Sequence, residues 1–471
     1  MKLSNKLLWI YVLSSCVYFT QGIEGMPGMA LFFYLKEKLH FDPSTIMYIG
    51  SITGLAWLVK PIWGYLCDNY LTKKSWIILS LVGSLGICLY LGLSPFISVP
   101  ILIAILSIGN LTTAFRDVAT DGIMCVEGKE ANECGRIQAI QWTSITVASI
   151  IVGLIGGYIA DHFNYQLSYL TLIPIYLFII SIVLKYKTTQ PLNQQLEEIC
   201  IKQIKVPVKI NWLKLLQLIW ILSLFIVIPI KLIHTTFYDI NPTINYLLNA
   251  AIKSMWLVFL IDNILLYYQT IKDSKVVKSI LSYKELFTNK RFLIGCLFVF
   301  LYNFNPSFGT PLSFIERDIF KWSGTFMGLL GAIVSAISII GSILYFKFGK
   351  KINVSKVLYW SVFLGAITTL SYLYFTPTSA IVYSIVYSVL GMFIFLNVMS
   401  WMAEATIKGK EATSFALLCS VNNLAGTVSG LSGAYLFSKI GLTPLIVISA
   451  LTSFLCLPLI KHLQIGETAN G

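Results

Sequence analysis

The sequence predicts an all-α polytopic membrane protein built from two related six-helix halves: 12 transmembrane helices, plus two more in a central insertion. Three observations predict it. The 471 residues are 56% hydrophobic and only 12% charged, where a soluble chain carries roughly a quarter charged residues. Apolar runs of the roughly 20 residues that cross a bilayer as a helix recur along the chain. Residues in the first part also reappear in the last part at one constant offset, 277 positions on.

The apolar runs fall near 8–33, 44–68, 75–94, 99–125, 136–160 and 165–184, then 213–235 and 246–270, then 291–310, 323–347, 356–375, 379–402, 412–436 and 441–461. They are continuous rather than alternating, so they read as helices and not as barrel strands. The first run continues past a short signal core, and no cleavable signal peptide is expected. Most of the nine cysteines lie inside runs (Cys16, Cys88, Cys296, Cys419, Cys456), and none forms a CxxC pair. Disulfides, a bound metal and a cofactor are not expected.

The net charge of +13 follows topology. With the N-terminus inside, about 25 of the 34 Lys and Arg lie in cytoplasmic segments. The cations Lys36, Lys38, Arg317, Lys321 and Lys439 lie outside, while Lys60, Arg116, Lys231 and Lys253 lie within runs. This is the positive-inside bias, with both termini cytoplasmic in a cell-membrane protein. No nucleic-acid partner is needed to explain the charge. Lipid surrounds the chain, and a monomer is expected.

The constant offset matches Gly64 with Gly341, Lys73 with Lys350, Lys74 with Lys351 and Glu127 with Glu404. It also matches Gly153 with Gly430, Gly156 with Gly433 and Tyr158 with Tyr435. Loop charges and helix glycines matching without a gap point to duplication: residues 1–190 form one half and 286–471 the other. Between them, 191–285 is an insertion, either two extra spans or an amphipathic linker, its runs interrupted by Lys231, His234, Lys253 and Asp262.

After the second run stands Gly64-Tyr-Leu-Cys-Asp68-Asn-Tyr-Leu-Thr-Lys73-Lys74. Gly64 allows close helix approach. Asp68 is suited to cap a helix of the other half, and Lys73 and Lys74 to pair with Glu127. Such contacts, with Glu404 as the repeat counterpart, would hold one gate state. The plainer reading is a cytoplasmic loop with an incidental aspartate.

In the fourth run Thr112, Thr113, Arg116, Asp117, Thr120 and Asp121 recur at helical spacing and stack into one polar stripe. Each charge would cost about 2.5–3.5 kcal/mol facing lipid, so the stripe faces a cavity or itself. Lys60 lies at a similar depth. The offset maps Lys60, Arg116, Asp117 and Asp121 onto Ile337, Phe393, Ile394 and Val398, so the charges belong to one half only. That favours substrate or proton handling over a self-neutralised structural cluster. In the first run Tyr18, Gln21, Gly25 and Gly28 share a face near Glu24, and Pro27 interrupts the helix. An interrupted span marks a binding site or eases packing. Gln138, Gln141 and Trp142, with Ser420, Asn423 and Thr427, are further cavity candidates or interhelical hydrogen-bonding groups. Walker A, HExxH and GxSxG motifs are missing, so neither an ATP motor nor an enzyme is expected.

Several stretches together resemble the folate–biopterin transporter family of the major facilitator superfamily. They are Gln21-Gly-Ile-Glu-Gly25 leading to Phe33-Tyr-Leu-Lys-Glu37, and Lys60-Pro-Ile-Trp-Gly64 with Asp68. Asp117-Val-Ala-Thr-Asp121, Gly135-Arg-Ile-Gln-Ala-Ile-Gln141-Trp142 and Gly409-Lys-Glu-Ala-Thr413…Asn422-Asn423 complete the set. Ile407-Lys408 stands where the family commonly has proline, and lysines stand where loop arginines are usual. The resemblance implies a secondary transporter of folates or pterins, working by alternating access and coupled to protons. S-adenosylmethionine is the alternative cargo, and a non-transporting membrane receptor is the alternative class. A flat pterin would stack on Trp142 or Tyr18, and a folate tail would pair with Arg116 or Lys60. Gln21, Gln138, Gln141 and Asn423 would complete substrate binding, and Asp117, Asp121 or Glu24 would carry the proton.

Overall fold

Among the described residues every long apolar run is helical and no strand occurs. The structure, a computed structural model, describes residues 5–69, 71–94, 97–124, 134–186, 288–348, 354–406 and 411–463, with 250, 253 and 254 of the central insertion. The expected spans near 213–235 and 246–270 otherwise lie outside the described residues.

Span 1 runs Asn5–Ile23, turns through 24–27, and resumes at Gly28–Phe33 with a wider coil at Tyr34–Lys38. Span 2 is Pro43–Thr53, a tighter turn at Gly54–Val59, then Lys60–Asn69. Spans 3 and 4 are Lys73–Leu93 and Val99–Ile123. Span 5 joins Cys134–Ile151 to Gly157–His162 through a wide turn, and span 6 is Tyr165–Lys185. In the second half span 7 is Lys290–Asn303 and Gly309–Asp318, span 8 Gly324–Phe348, span 9 Val354–Ser371, span 10 Pro377–Glu404 and span 11 Glu411–Ile440. Span 12 begins at Leu442–Thr452 and ends at Leu457–Ile460.

Ten of these are long and apolar enough to cross a membrane as they stand. The remaining two, spans 1 and 7, open each half and are the interrupted ones. The break in span 1 falls at Pro27, as the sequence suggests. Span 7 corrects the sequence reading, which ended the run near 310. Pro306 sits in a non-helical stretch after Asn303, and a second helix then runs on to Asp318. That helix carries Ser313, Glu316, Arg317 and Asp318, so apolarity alone misses it.

Span starts are set by local hydrogen bonds. Asp42 accepts from the Ser44 and Thr45 backbone N–H groups ahead of Pro43. Thr72 caps span 3, Asn164 span 6, Asn289 span 7, and Thr376 span 10 in a capping box with Ser379. These caps satisfy N–H groups that a helix leaves open at its start. Gly441, at φ 76°, takes the left-handed conformation that separates span 11 from span 12.

Each half has its own buried core. One is built from Leu13 through Tyr186 and the other from Phe292 through Leu463. The halves meet at the end of the molecule farther from both termini, here called the distal end, through two crossings. At one, span 5 lies on span 8: a Cβ on Gly153 would come within 2.5 Å of the Gly328 carbonyl oxygen. At the other, span 11 lies on span 2: a Cβ on Gly430 would meet Ser51 Oγ at 2.0 Å. Gly153 and Gly430 are 277 apart, and so are Ser51 and Gly328. The two crossings are therefore the same contact made twice, related by the offset seen in the sequence. Small residues are what permit backbones this close.

Candidate functional site

Span 4 carries the polar stripe, and its rotation is fixed by aromatic packing. Phe115 is held between Trp63 of span 2, at 4.8 Å between ring centroids, and Trp76 of span 3, at 4.7 Å and nearly parallel. With Phe115 locked among these rings, the charged residues beside it divide into two clusters.

The first lies inside the N-terminal half. Arg116 is fully buried, and its Nη2 pairs with Glu24 Oε1 at 2.6 Å. Tyr176 of span 6 also donates to Glu24 Oε1, and Thr113 donates to Oε2 at 2.8 Å. Ser84 accepts from Arg116 Nη1 at 3.3 Å. Two of the candidate residues are thus paired with each other: Glu24 is the counter-ion of Arg116, and with Ser84 it takes up both terminal guanidinium nitrogens. In a medium without water a charge this deep must be paired within the protein.

The second cluster is Lys60, Asp117, Asp121, Tyr18 and Gln21. Lys60 Nζ pairs with Asp117 Oδ2 at 2.6 Å and lies 4.9 Å from the centre of the Trp57 ring. Gln21 donates to Asp117 Oδ1 at 2.8 Å, and the Tyr18 hydroxyl donates to Asp121 Oδ1 at 2.5 Å. Among the described residues Asp121 has no cation at ion-pair distance. Gln141 lies beside Asp121, and among the described residues its buried Nε2 meets no acceptor at hydrogen-bond geometry. Cys419 of span 11 lies within electrostatic reach of Lys60 and both aspartates, so the cluster faces the other half.

The other expected site residues are spread more widely. Trp142 packs edge-on against Phe395 of span 10 at 4.9 Å. Asn423 donates to the Trp57 carbonyl at 3.0 Å, tying span 11 to span 2. Gly64 lies near Val118 of span 4, where a Cβ would sit at 3.8 Å. Lys73 lays its aliphatic chain over Gly122. Lys74 donates to the Leu184 and Tyr186 carbonyls, closing the end of span 6. Those acceptors differ from the expected one, Glu127, which lies outside the described residues. Asp68, Gln138 and Glu404 are on helices, but their side chains lie outside the described residues. Among the described residues no three His, Cys, Asp or Glu side chains gather in a way that could hold a metal ion.

Two features are missed by the sequence reading. Trp57, one turn before Lys60, lines both a cavity of about 430 Å³ in the N-terminal half and a cleft of about 380 Å³ between spans 2 and 11. An aromatic three residues before an intramembrane lysine is the available signal. The second is a charged latch between the halves at the distal end. Asp161 accepts from the Gly324 and Thr325 backbone N–H groups, both at 2.6 Å, capping span 8 of the other half. Arg317 lies 3.7 Å from Asp161, pairs with Glu37 at 2.8 Å and stacks over Phe33 at 4.1 Å. Lys36 pairs with Asp318 at 2.5 Å. The signal was that Lys36 and Arg317 stand among the few cations placed against the positive-inside bias.

The buried Arg116–Glu24 pair makes a prediction. Removing one partner of such a pair costs about 3–5 kcal/mol, because a charge is left alone in the interior. Arg116→Gln should therefore reduce membrane abundance severalfold, and adding Glu24→Gln should restore it. Fluorescence-detected size exclusion of tagged variants reads this directly. Normal abundance of the single variant would show that the pair does not hold the fold together.

Two six-helix halves meeting in glycine crossings, with charges kept inside the membrane region of one half, define a multi-pass membrane transporter of the major facilitator type. A sequence model described as the BT1 family matches residues 21–467, and the chain belongs to that family. It is 22% identical to a "Folate-biopterin transporter" of Synechocystis sp., over 99% of this chain and 84% of that one. It is 21% identical to "Folate transporter 1" of Plasmodium falciparum, over 91% of this chain and 73% of that one. The fold matches the crystal structure of a D-xylose–proton symporter with a TM-score of 0.66 at 10% identity, covering 98% of each chain.

Proposed function

We propose that this protein is a secondary transporter of folates or pterins in the cell membrane, with both termini cytoplasmic. It works as a monomer by alternating access and takes up one proton at Asp121. Family membership and the two full-length relatives support the cargo. One observation supports the coupling: Lys60 is already paired with Asp117, so among the described residues Asp121 has a hydrogen-bond donor, Tyr18, but no cation at ion-pair distance. A carboxylate inside the membrane without a counter-ion beside it is the kind of group that proton relays use. Tyr18 of span 1 holds Asp121 by a hydrogen bond, and Gln21 ties Asp117 to the same span.

The five charges of the two clusters, Glu24, Asp117 and Asp121 against Lys60 and Arg116, leave a surplus of one negative charge. That surplus also favours a second reading, in which a cationic metabolite such as S-adenosylmethionine takes the place of the proton. Uptake of labelled folate, biopterin and S-adenosylmethionine by expressing cells, with and without a protonophore, separates the two. Protonophore-sensitive uptake of folate or biopterin supports the first reading. Uptake of S-adenosylmethionine alone would overturn it.

A further inference from the structure

The space inside the N-terminal half has no role in the reading above. It measures about 430 Å³ and is lined by all six spans of that half, within the range of about 300–1,000 Å³ typical of small-molecule sites. Three aromatic residues, Trp57, Tyr169 and Tyr176, contribute to its wall. Glu24 reaches it as well: its side chain is 20% exposed, although its partner Arg116 is 0% exposed. The carboxylate is held by Arg116, Tyr176, Ser84 and Thr113, and of these only Thr113 binds Oε2. A carboxylate oxygen accepts about two hydrogen bonds, so Oε2 keeps a place for a donor from a ligand. Trp57 is shared with the cleft between spans 2 and 11, and Gln21 with the Lys60–Asp117 cluster. The cavity thus adjoins both the space between the halves and the charges assigned to coupling.

We propose that this cavity is the ring subsite: it receives the flat fused heterocycle of a pterin-type substrate, with a donor-bearing edge of the ring on Glu24. The proposal rests on the folate or pterin reading of the cargo. The chemistry matches on three counts. Aromatic faces suit a planar ring system. A fixed carboxylate suits the amino and ring N–H donors that a pterin presents along one edge. The aliphatic remainder of the wall, such as Leu106 and Leu172, suits the ring's apolar faces. A charged glutamate tail does not suit this cavity, since Arg116 is already neutralised. The tail of a folate would therefore stay in the cleft beyond Trp57.

Gly109 offers a clean test, because it lines the cavity and a Cβ there would meet only Ile87 Cδ1, at 3.9 Å. A side chain at 109 can therefore grow into the cavity without a backbone clash. Gly426 is its counterpart in the cleft, with nothing within 4 Å of a Cβ. Exposed Gly86, also with nothing within 4 Å, is the control outside both spaces. Binding of tritiated biopterin to the purified full-length chain is measured for wild type, Gly109→Ala, Gly109→Leu, Gly426→Leu and Gly86→Leu. Gel filtration and thermal melting verify that each variant is folded. The expected result is graded: a small loss for Gly109→Ala and about a tenfold or greater loss for Gly109→Leu, because an overfilled cavity has no room for the ring. Gly86→Leu should bind biopterin as wild type does, and Gly426→Leu should lose less than Gly109→Leu. Wild-type affinity in folded Gly109→Leu overturns the subsite, as does loss of binding in Gly426→Leu alone. A wild-type chain that takes up S-adenosylmethionine and binds no pterin overturns the cargo reading, and the subsite with it. Should Gly109→Leu not fold, Gly109→Ala decides: unchanged affinity overturns the proposal, and a measurable loss supports it.

Discussion

Asp121→Asn is expected to abolish accumulation of substrate against its gradient while leaving exchange across the membrane intact. One proton per substrate and a gradient of about one pH unit support roughly tenfold accumulation, because one unit is worth 1.36 kcal/mol. The asparagine keeps the shape and still accepts from Tyr18, but it cannot carry a proton. The accumulation ratio in proteoliposomes should fall to about one, its value without coupling. Exchange of labelled for unlabelled substrate needs no net proton movement and should continue. Lys60 and Asp117 stay paired in this variant, so folding is not at stake. Full accumulation by Asp121→Asn would remove the residue from the coupling role.

The second large effect concerns the latch. Asp161→Ala removes the acceptor for the Gly324 and Thr325 N–H groups and a carboxylate 3.7 Å from Arg317. Hydrogen bonds to a charged group contribute about 1.5–3 kcal/mol each, so losing two shifts the balance between closed and open distal ends by about 3 kcal/mol or more, roughly a hundredfold. Because the cap joins two halves, its loss acts on that balance rather than on either bundle. A cysteine replacing Ser51, which lies under Gly430, reports the change in a background free of other reactive thiols. Its labelling by a membrane-impermeant maleimide should speed up by about that factor. Unchanged labelling would show that the cap does not hold the distal end closed.

The stripe was legible because helical spacing is a local property. Positions four residues apart share a face wherever the helix is placed. Its division into two clusters was not legible, since Glu24 and Arg116 are 92 residues apart and Lys60 and Asp117 are 57 apart. Which charge faces which neighbour follows from how span 4 packs, with Phe115 held between Trp63 and Trp76. The latch was further out of reach, because Arg317 and Glu37 are 280 residues apart and each looks like an ordinary exposed charge. The repeat, by contrast, was visible in the glycines themselves. The offset pairs Gly153 with Gly430, and each of these glycines sits against the other half. The second helix of span 7 was lost for a simple reason: a hydropathy reading stops where charges begin.

The two crossings have a mechanical meaning. Where side chains interdigitate, one helix can turn over another only in steps, each step being a set of knobs leaving its holes. Gly153 meets only the Gly328 backbone and the methyl of Ala332, and Gly430 only the small side chain of Ser51. Dispersion attraction between two smooth backbones changes little as one cylinder rolls over the other. Lipid, as apolar as the helices, adds no hydrophobic force to hold them at one angle. Such contacts behave as a pair of plain bearings, with a shallow angular profile and no preferred stop. The stops must then come from the polar groups at the rim, which are few, exposed in part, and open to the salt and pH of the bathing solution.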